Sequence, residues 1–232
     1  MIKYAPFLLA ILYGLGMYWF SAWRTKAILD AQSRPLDDAG LLVLTERLAT
    51  AQGVPHLPVH VFEIPGVNGL AAPDGRIFLT RGFIDRYKGG AVSAEELAGV
   101  IAHELGHVAM GHARRRMIDV TGQNAVFVVL VPLLSRFVPV LGVWVARFIA
   151  TALAAGLSRK AEHEADAYAS ALMVKAGIGT GPQKSLFRKL DALVGGAGTM
   201  PEWLRSHPRT EERIRLIEAR EARWGLGTGP VA

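Results

Sequence analysis

Residues Ser93–His107 read SAEELAGVIAHELGH. Ser93, with Glu96 three residues later, is a capping box. The apolar spacing behind it predicts a helix running to about residue 117. Within that helix stands His103-Glu104-Leu105-Gly106-His107. Two histidines at i and i+4 share one helical face, so both imidazoles reach a single ion. Glu104 follows the first histidine and faces the open coordination position of such an ion. There it is placed to take a proton from water.

A catalytic zinc needs a third protein ligand and an open fourth position. The chain has no cysteine, so thiolate sites, disulfides and a Cys nucleophile are excluded. Any metal is held by His and carboxylates. A third histidine in the HExxHxxGxxH pattern is absent, because Met110 and Ala113 occupy the required places. His112 is out of register, about 140° around the helix from His107, and reads as structural. The remaining source is SRKAEHEADAYA at residues 158–169. Glu162 and Asp166 are spaced i, i+4 and share a face. One ligates while the other orients a ligand histidine. Glu164 points about 160° away from Glu162, so only one of the two ligates. A solvated acidic face is the competing reading, and spacing alone does not decide.

Upstream, residues 37–53 show helical apolar spacing ending at Gly53. Pro58–Ile64 alternates with β-branched residues, and Arg76–Thr80 forms a second short strand. Pro73-Asp74-Gly75 is a turn signal between them. A small antiparallel sheet is expected, within an α+β, mainly helical domain.

The 232 residues are ample for a core. There are 26 Lys+Arg and 20 Asp+Glu. Only Arg136 and Arg147 among these fall in residues 5–23 or 125–157, so a soluble body carries two apolar segments. The net charge of +6 is modest. Its basic residues are scattered without an aromatic-interleaved stripe, and no nucleic-acid partner is expected. Residues 6–23, PFLLAILYGLGMYWFSAW, come close to crossing a ~30 Å hydrocarbon core. Tyr18, Trp19 and Trp23 sit at one end, as interfacial aromatics do. No small-x-small cleavage site follows, so residues 1–24 read as a transmembrane anchor. Residues 25–232 form the catalytic domain. Arg24, Lys26 and Arg34 after the anchor favour a cytoplasmic body. Residues 125–157 separate HELGH from the carboxylates at 158–169, and a carboxylate that shares the ion of His103 requires them to cross a membrane an even number of times, including zero. Two arms of about 15 residues span only ~22 Å, and Arg147 is costly at mid-membrane. Membrane contact is expected there, by shallow insertion or a strained hairpin.

HELGH followed by Glu162 in SRKAEHEAD resembles the HtpX-like and CAAX-prenyl-endopeptidase group of zinc metallopeptidases, with an HExxH…ExxxD pattern. The second signature of that group is matched by Ser158, Arg159, Glu162, Ala165 and Asp166. VNGLAAPDGRIFLTRGFID resembles the family's Asn-Ala-Phe strand and following Gly, through Asn68 and Gly82. SHPRTEERIRLI resembles its His-Pro segment, through Ser206, His207, Pro208 and Arg213. The chain departs at Gly69, where the family usually has Ala, and has one N-terminal apolar span where HtpX has two. The resemblance covers about residues 35–220.

It implies a zincin-like fold with one zinc ion per chain, ligated by His103, His107 and Glu162. It further implies Glu104 as general base and Asp166 as a supporting partner. His207 and Arg213 are candidate donors to the oxyanion, although His-Pro is also a common helix entry. Asn68 and its strand are candidates for binding an extended substrate by strand addition. The expected function is a membrane-anchored zinc endopeptidase of membrane or misfolded proteins, in quality control or processing, at a bacterial inner membrane. The alternatives are a non-proteolytic membrane scaffold or chaperone on the same fold, and a zinc hydrolase of small amides.

Overall fold

The computed structural model describes residues 5–72, 74–112, 141–194 and 210–226. The chain divides into two compact units, residues 1–32 with 111–161, and residues 33–110 with 162–232.

The first unit contains helix α1 (Ala5–Gln32). The apolar run of the sequence stops at Trp23, but the helix continues through RTKAILDAQ, a stretch of good helix formers. Lys26 and Asp30 form an i, i+4 ion pair at 2.7 Å there. Trp19 (69% exposed), Phe20 (53%) and Trp23 (66%) stand out from the helix. Among the described residues, no helix is long and apolar enough to cross a membrane. Residues 125–140 of the apolar segment 125–157 lie outside the described residues. From Leu141 the chain is helical without interruption to Lys175, as α5 (Leu141–Lys175), whose C-terminal part belongs to the second unit.

The second unit begins with strand β1 (Ser33–Pro35) and helix α2 (Ala39–Gln52). The Asp38 side chain accepts from the Leu41 N–H and caps α2, and Gly53 ends it in the left-handed region at φ 82°. Leu41, Leu44 and Leu48 recur at helical spacing and are buried. The sheet adds β2 (Val59–Phe62), β3 (Gly69–Ala71) and β4 (Ile77–Thr80), in the order β1-β2-β4-β3.

This sheet is mixed, which corrects the antiparallel expectation. β1–β2 and β3–β4 are antiparallel, but β2 and β4 run parallel, Val59 opposite Ile77 through Phe62 opposite Thr80. The reason lies in the turn at Asp74-Gly75. Gly75 has φ 88°, and the Ala72 N–H donates to the Arg76 carbonyl at 2.8 Å. That turn joins β3 to β4, not β2 to β4. The chain leaves β2, runs down β3 at the edge, and returns as β4 into the gap beside β2. The second strand therefore enters in the same direction as the first.

Helix α3 (Arg81–Lys88) leads to α4 (Ala94–Ala109). The capping box forms as expected: the Ser93 N–H donates to Glu96 Oε2 at 2.8 Å, and the Glu96 N–H to Ser93 Oγ at 3.2 Å. α4 stops at Ala109 rather than near residue 117, because Gly111 turns the backbone at φ 64°. Every residue from Glu96 to Gly106 is buried. α2, β3, β4 and helix α6 (Gly181–Val194) pack around α4, and helix α7 (Thr210–Arg223) packs on α6. Leu97 and Ile101 are fully buried in this core, each stabilising the fold by about 2 kcal/mol. A helix enclosed this way carries His103 and Glu104 into the interior.

Candidate metal centre

His103 and His107 project from one face of α4, as i, i+4 spacing dictates. Opposite them α5 presents Glu162 and Asp166 from its own i, i+4 face. His103 Nε2 lies 3.5 Å from Glu162 Oε2, and His107 Nε2 lies 3.5 Å from Glu162 Oε1. The two Nε2 atoms are 3.1 Å apart. Donor atoms of all three residues fall within 4.8 Å of one another, so they could hold a metal ion. This is the one such group among the described residues, and His112 is not part of it.

The other nitrogen of His103 is occupied. His103 Nδ1 lies 2.9 Å from Asp166 Oδ1. A carboxylate on Nδ1 fixes the ring's orientation and leaves Nε2 for an ion. Asp166 is itself clamped by Arg213 on α7, Nε to Oδ2 at 2.6 Å and Nη2 to Oδ1 at 2.7 Å. The guanidinium also lies 4.2 Å over the Phe187 ring and 3.3 Å, through Nη2, from His103 Nδ1. Arg213, Asp166 and His103 are at most 2% exposed.

Burial works against charge on both His103 and Asp166, and the partners outweigh it. The Asp166 and Glu162 carboxylates raise the His103 pKa to about 9. Arg213, with His103 in support, holds the Asp166 carboxyl well below the usual range. A bidentate Arg–carboxylate pair is the arrangement in which a buried ion pair is best compensated.

Glu104 is 3% exposed and sits beside β3. A Cβ at Gly69 would lie 3.5 Å from Glu104 Cγ and Oε1, and 2.6 Å from Val100 Cγ1. With Val100 beside it, an alanine at residue 69 requires Val100 or β3 to shift. β3 ends the sheet, so its outer edge faces away from β4. The Asn68 carbonyl accepts from the Thr80 N–H at 3.0 Å and from Thr80 Oγ1 at 2.9 Å, while the Asn68 side-chain Oδ1 is buried with no hydrogen-bond partner among the described residues.

The structure thus gathers His103, His107, Glu162, Asp166 and Arg213, and sets Glu104 and Asn68 beside β3. Arg213 joins this cluster with its Nε and Nη2 directed at Asp166. His207 lies outside the described residues. The Arg213–Asp166 clamp is the feature that sequence reasoning missed. Its one signal was an arginine in the His-Pro segment, with no partner to read it against.

A model of Peptidase family M48 matches residues 35–221. The chain belongs to that family. It is therefore a metalloendopeptidase, a hydrolase of peptide bonds. It is 27% identical to the mitochondrial metalloendopeptidase OMA1 of Schizosaccharomyces pombe, over 90% of this chain and 69% of that protein. It is 28% identical to the mitochondrial metalloendopeptidase OMA1 of Danio rerio, over 69% of this chain. It is 30% identical to the metalloprotease LoiP of Escherichia coli K12, over 72% of this chain and 63% of that protein. The chain spans only 34% of the zebrafish protein.

Proposed function

We propose that this M48 chain is a membrane-anchored zinc endopeptidase, with His103, His107 and Glu162 as ligands and Glu104 as general base. The observation that carries the reading is the His–His–Glu cluster, with His103 and Glu162 buried and His107 partly so, and the far nitrogen of His103 held by Asp166. Two imidazoles and one carboxylate with an open position suit zinc. When bound, the ion supplies Lewis acidity, acidifying water and polarising the scissile carbonyl. Glu104 accepts the proton from that water and returns it to the leaving amine. Asp166 and Arg213 orient His103, so the geometry favours a positioning role for Arg213 over an oxyanion donor. His207 is proposed as the oxyanion donor, on the resemblance of its segment. The outer edge of β3 takes the substrate as an added strand, with Asn68 at its start and Glu104 beside it.

The apolar run at residues 6–23 and the projecting Trp19, Phe20 and Trp23 support membrane anchoring through α1. Membrane-associated or misfolded proteins are the proposed substrates, and the catalytic unit is proposed to be cytoplasmic. The deciding experiment compares wild type with Glu104→Gln in detergent, by metal analysis and casein digestion. The variant is expected to bind zinc at wild-type stoichiometry and to lose about 10²–10⁴-fold in rate. Unchanged proteolysis in the variant would sink the assignment.

A further inference from the structure

The two helices of the metal centre carry their groups in the same frame. On α4, Gly106 stands three residues after His103 and one before His107. On α5, Ala165 stands three residues after Glu162 and one before Asp166. These two small residues meet. A Cβ at Gly106 would lie 2.9 Å from both Cα and O of Ala165, and 3.3 Å from its carbonyl carbon. All three are backbone atoms, so no side-chain rotation relieves the contact. Only separation of the helices does. The crossing point lies at the level of the donors, where Glu162 reaches both Nε2 atoms at 3.5 Å.

We infer that Gly106 is a positioning residue: its missing side chain sets the separation of α4 and α5, and with it the radius of the His103–His107–Glu162 donor set. The inference rests on the metal-site reading above and adds to it a determinant of ion size. A methyl group at residue 106 needs about 0.5–1 Å more room to reach ordinary carbon contact. Zinc–ligand bonds of about 2.0–2.1 Å hold to roughly 0.2 Å, so displacement of that size exceeds what a zinc site accommodates. A larger ion of the same charge, such as Cd²⁺, tolerates longer bonds. Gly99, on the same helix, supplies the control. A Cβ there would meet only the Met173 Cε and Sδ at 3.5 Å and Gln183 Cα at 3.7 Å, ordinary packing distances. Both Gly→Ala changes bring the same gain in helix propensity.

The test uses the full chain in detergent. Zn²⁺ and Cd²⁺ affinities of wild type, Gly106→Ala and Gly99→Ala are measured by competition with a chromophoric chelator. Far-UV circular dichroism of the metal-free proteins is recorded alongside. Gly106→Ala is expected to weaken zinc at least tenfold and to raise the Cd²⁺/Zn²⁺ affinity ratio at least fivefold, while Gly99→Ala matches wild type in both. The inference is overturned if Gly106→Ala binds zinc as wild type does, or weakens both ions equally. Loss of the helical signal in metal-free Gly106→Ala also overturns it, because the contact would then be a requirement of the fold. Wild type that binds neither ion would sink the metal-site reading itself, whereas tight wild-type binding with an indifferent Gly106→Ala sinks this inference alone.

Discussion

At the scale of single residues, the centre is a chain of dependence running inward from α7. Arg213 clamps Asp166, Asp166 holds His103, and His103 presents Nε2 to the cluster. Asp166→Asn keeps the shape but loses the carboxylate, and zinc affinity is expected to fall 10–100-fold, as for other partners of ligand histidines. Chelator competition measures this. Arg213→Met strands a buried carboxylate and is expected to cost about 3–5 kcal/mol of stability, read as a urea midpoint shift. How legible was this in the sequence? The two histidines were, because i, i+4 is a local relation that one helix enforces. Glu162 and Asp166 were legible as a pair, but the spacing left open which would ligate. What separates them is contact: Asp166 touches Nδ1 and a guanidinium, Glu162 the two Nε2 atoms. Those contacts are non-local, and no periodicity encodes them.

At the scale of elements, α4 is held by both its end and its flank. Glu96 closes the capping box and also accepts from Ser185 Oγ at 2.7 Å and Lys189 Nζ at 2.8 Å, tying α4 to α6. Burial pushes the Glu96 carboxyl up, but Lys189, Ser185 and the Ser93 N–H together hold it below its ordinary value of 4.5. A depressed carboxyl stabilises the fold above its unfolded pKa, and that contribution fades as pH falls through the folded value. Melting temperature is therefore expected to drop as pH is lowered below about 4.5, and to drop less steeply in Glu96→Gln. The flank contact is with β3. Gly69→Ala drives a methyl into Val100, an overpacking cost of about 1–3 kcal/mol, and is expected to lower kcat/KM by displacing β3 from Glu104. Val100→Ala in the same chain should restore both, measured by thermal melts and peptide kinetics. The capping box and Gly53 were readable because each is a signal within four residues. β1 was not, and β3 was readable only through the resemblance of the stretch around Asn68: three residues each carry no alternation, and both strands lie at the edges of the sheet, beside β2 and β4.

At the scale of the whole molecule, composition foretold two apolar segments but not that the second continues, from Leu141, as one helix through Glu162 and Asp166. Replacing Trp19, Phe20 and Trp23 together by Ser is expected to abolish flotation with phospholipid vesicles while zinc stoichiometry stays at wild type. Flotation equal to wild type would remove α1 as the anchor. The distances along the chain carry a last consequence. His103 waits 63 residues for Asp166 and 110 for Arg213. At a synthesis rate of about 5–20 residues per second, that is roughly 5–20 s of translation. For the first 63 residues of it the nascent polypeptide carries HELGH without the Asp166 carboxylate, and for the remainder without the Arg213 guanidinium. The cluster around His103 is thus complete on the ribosome only once α7 has been made.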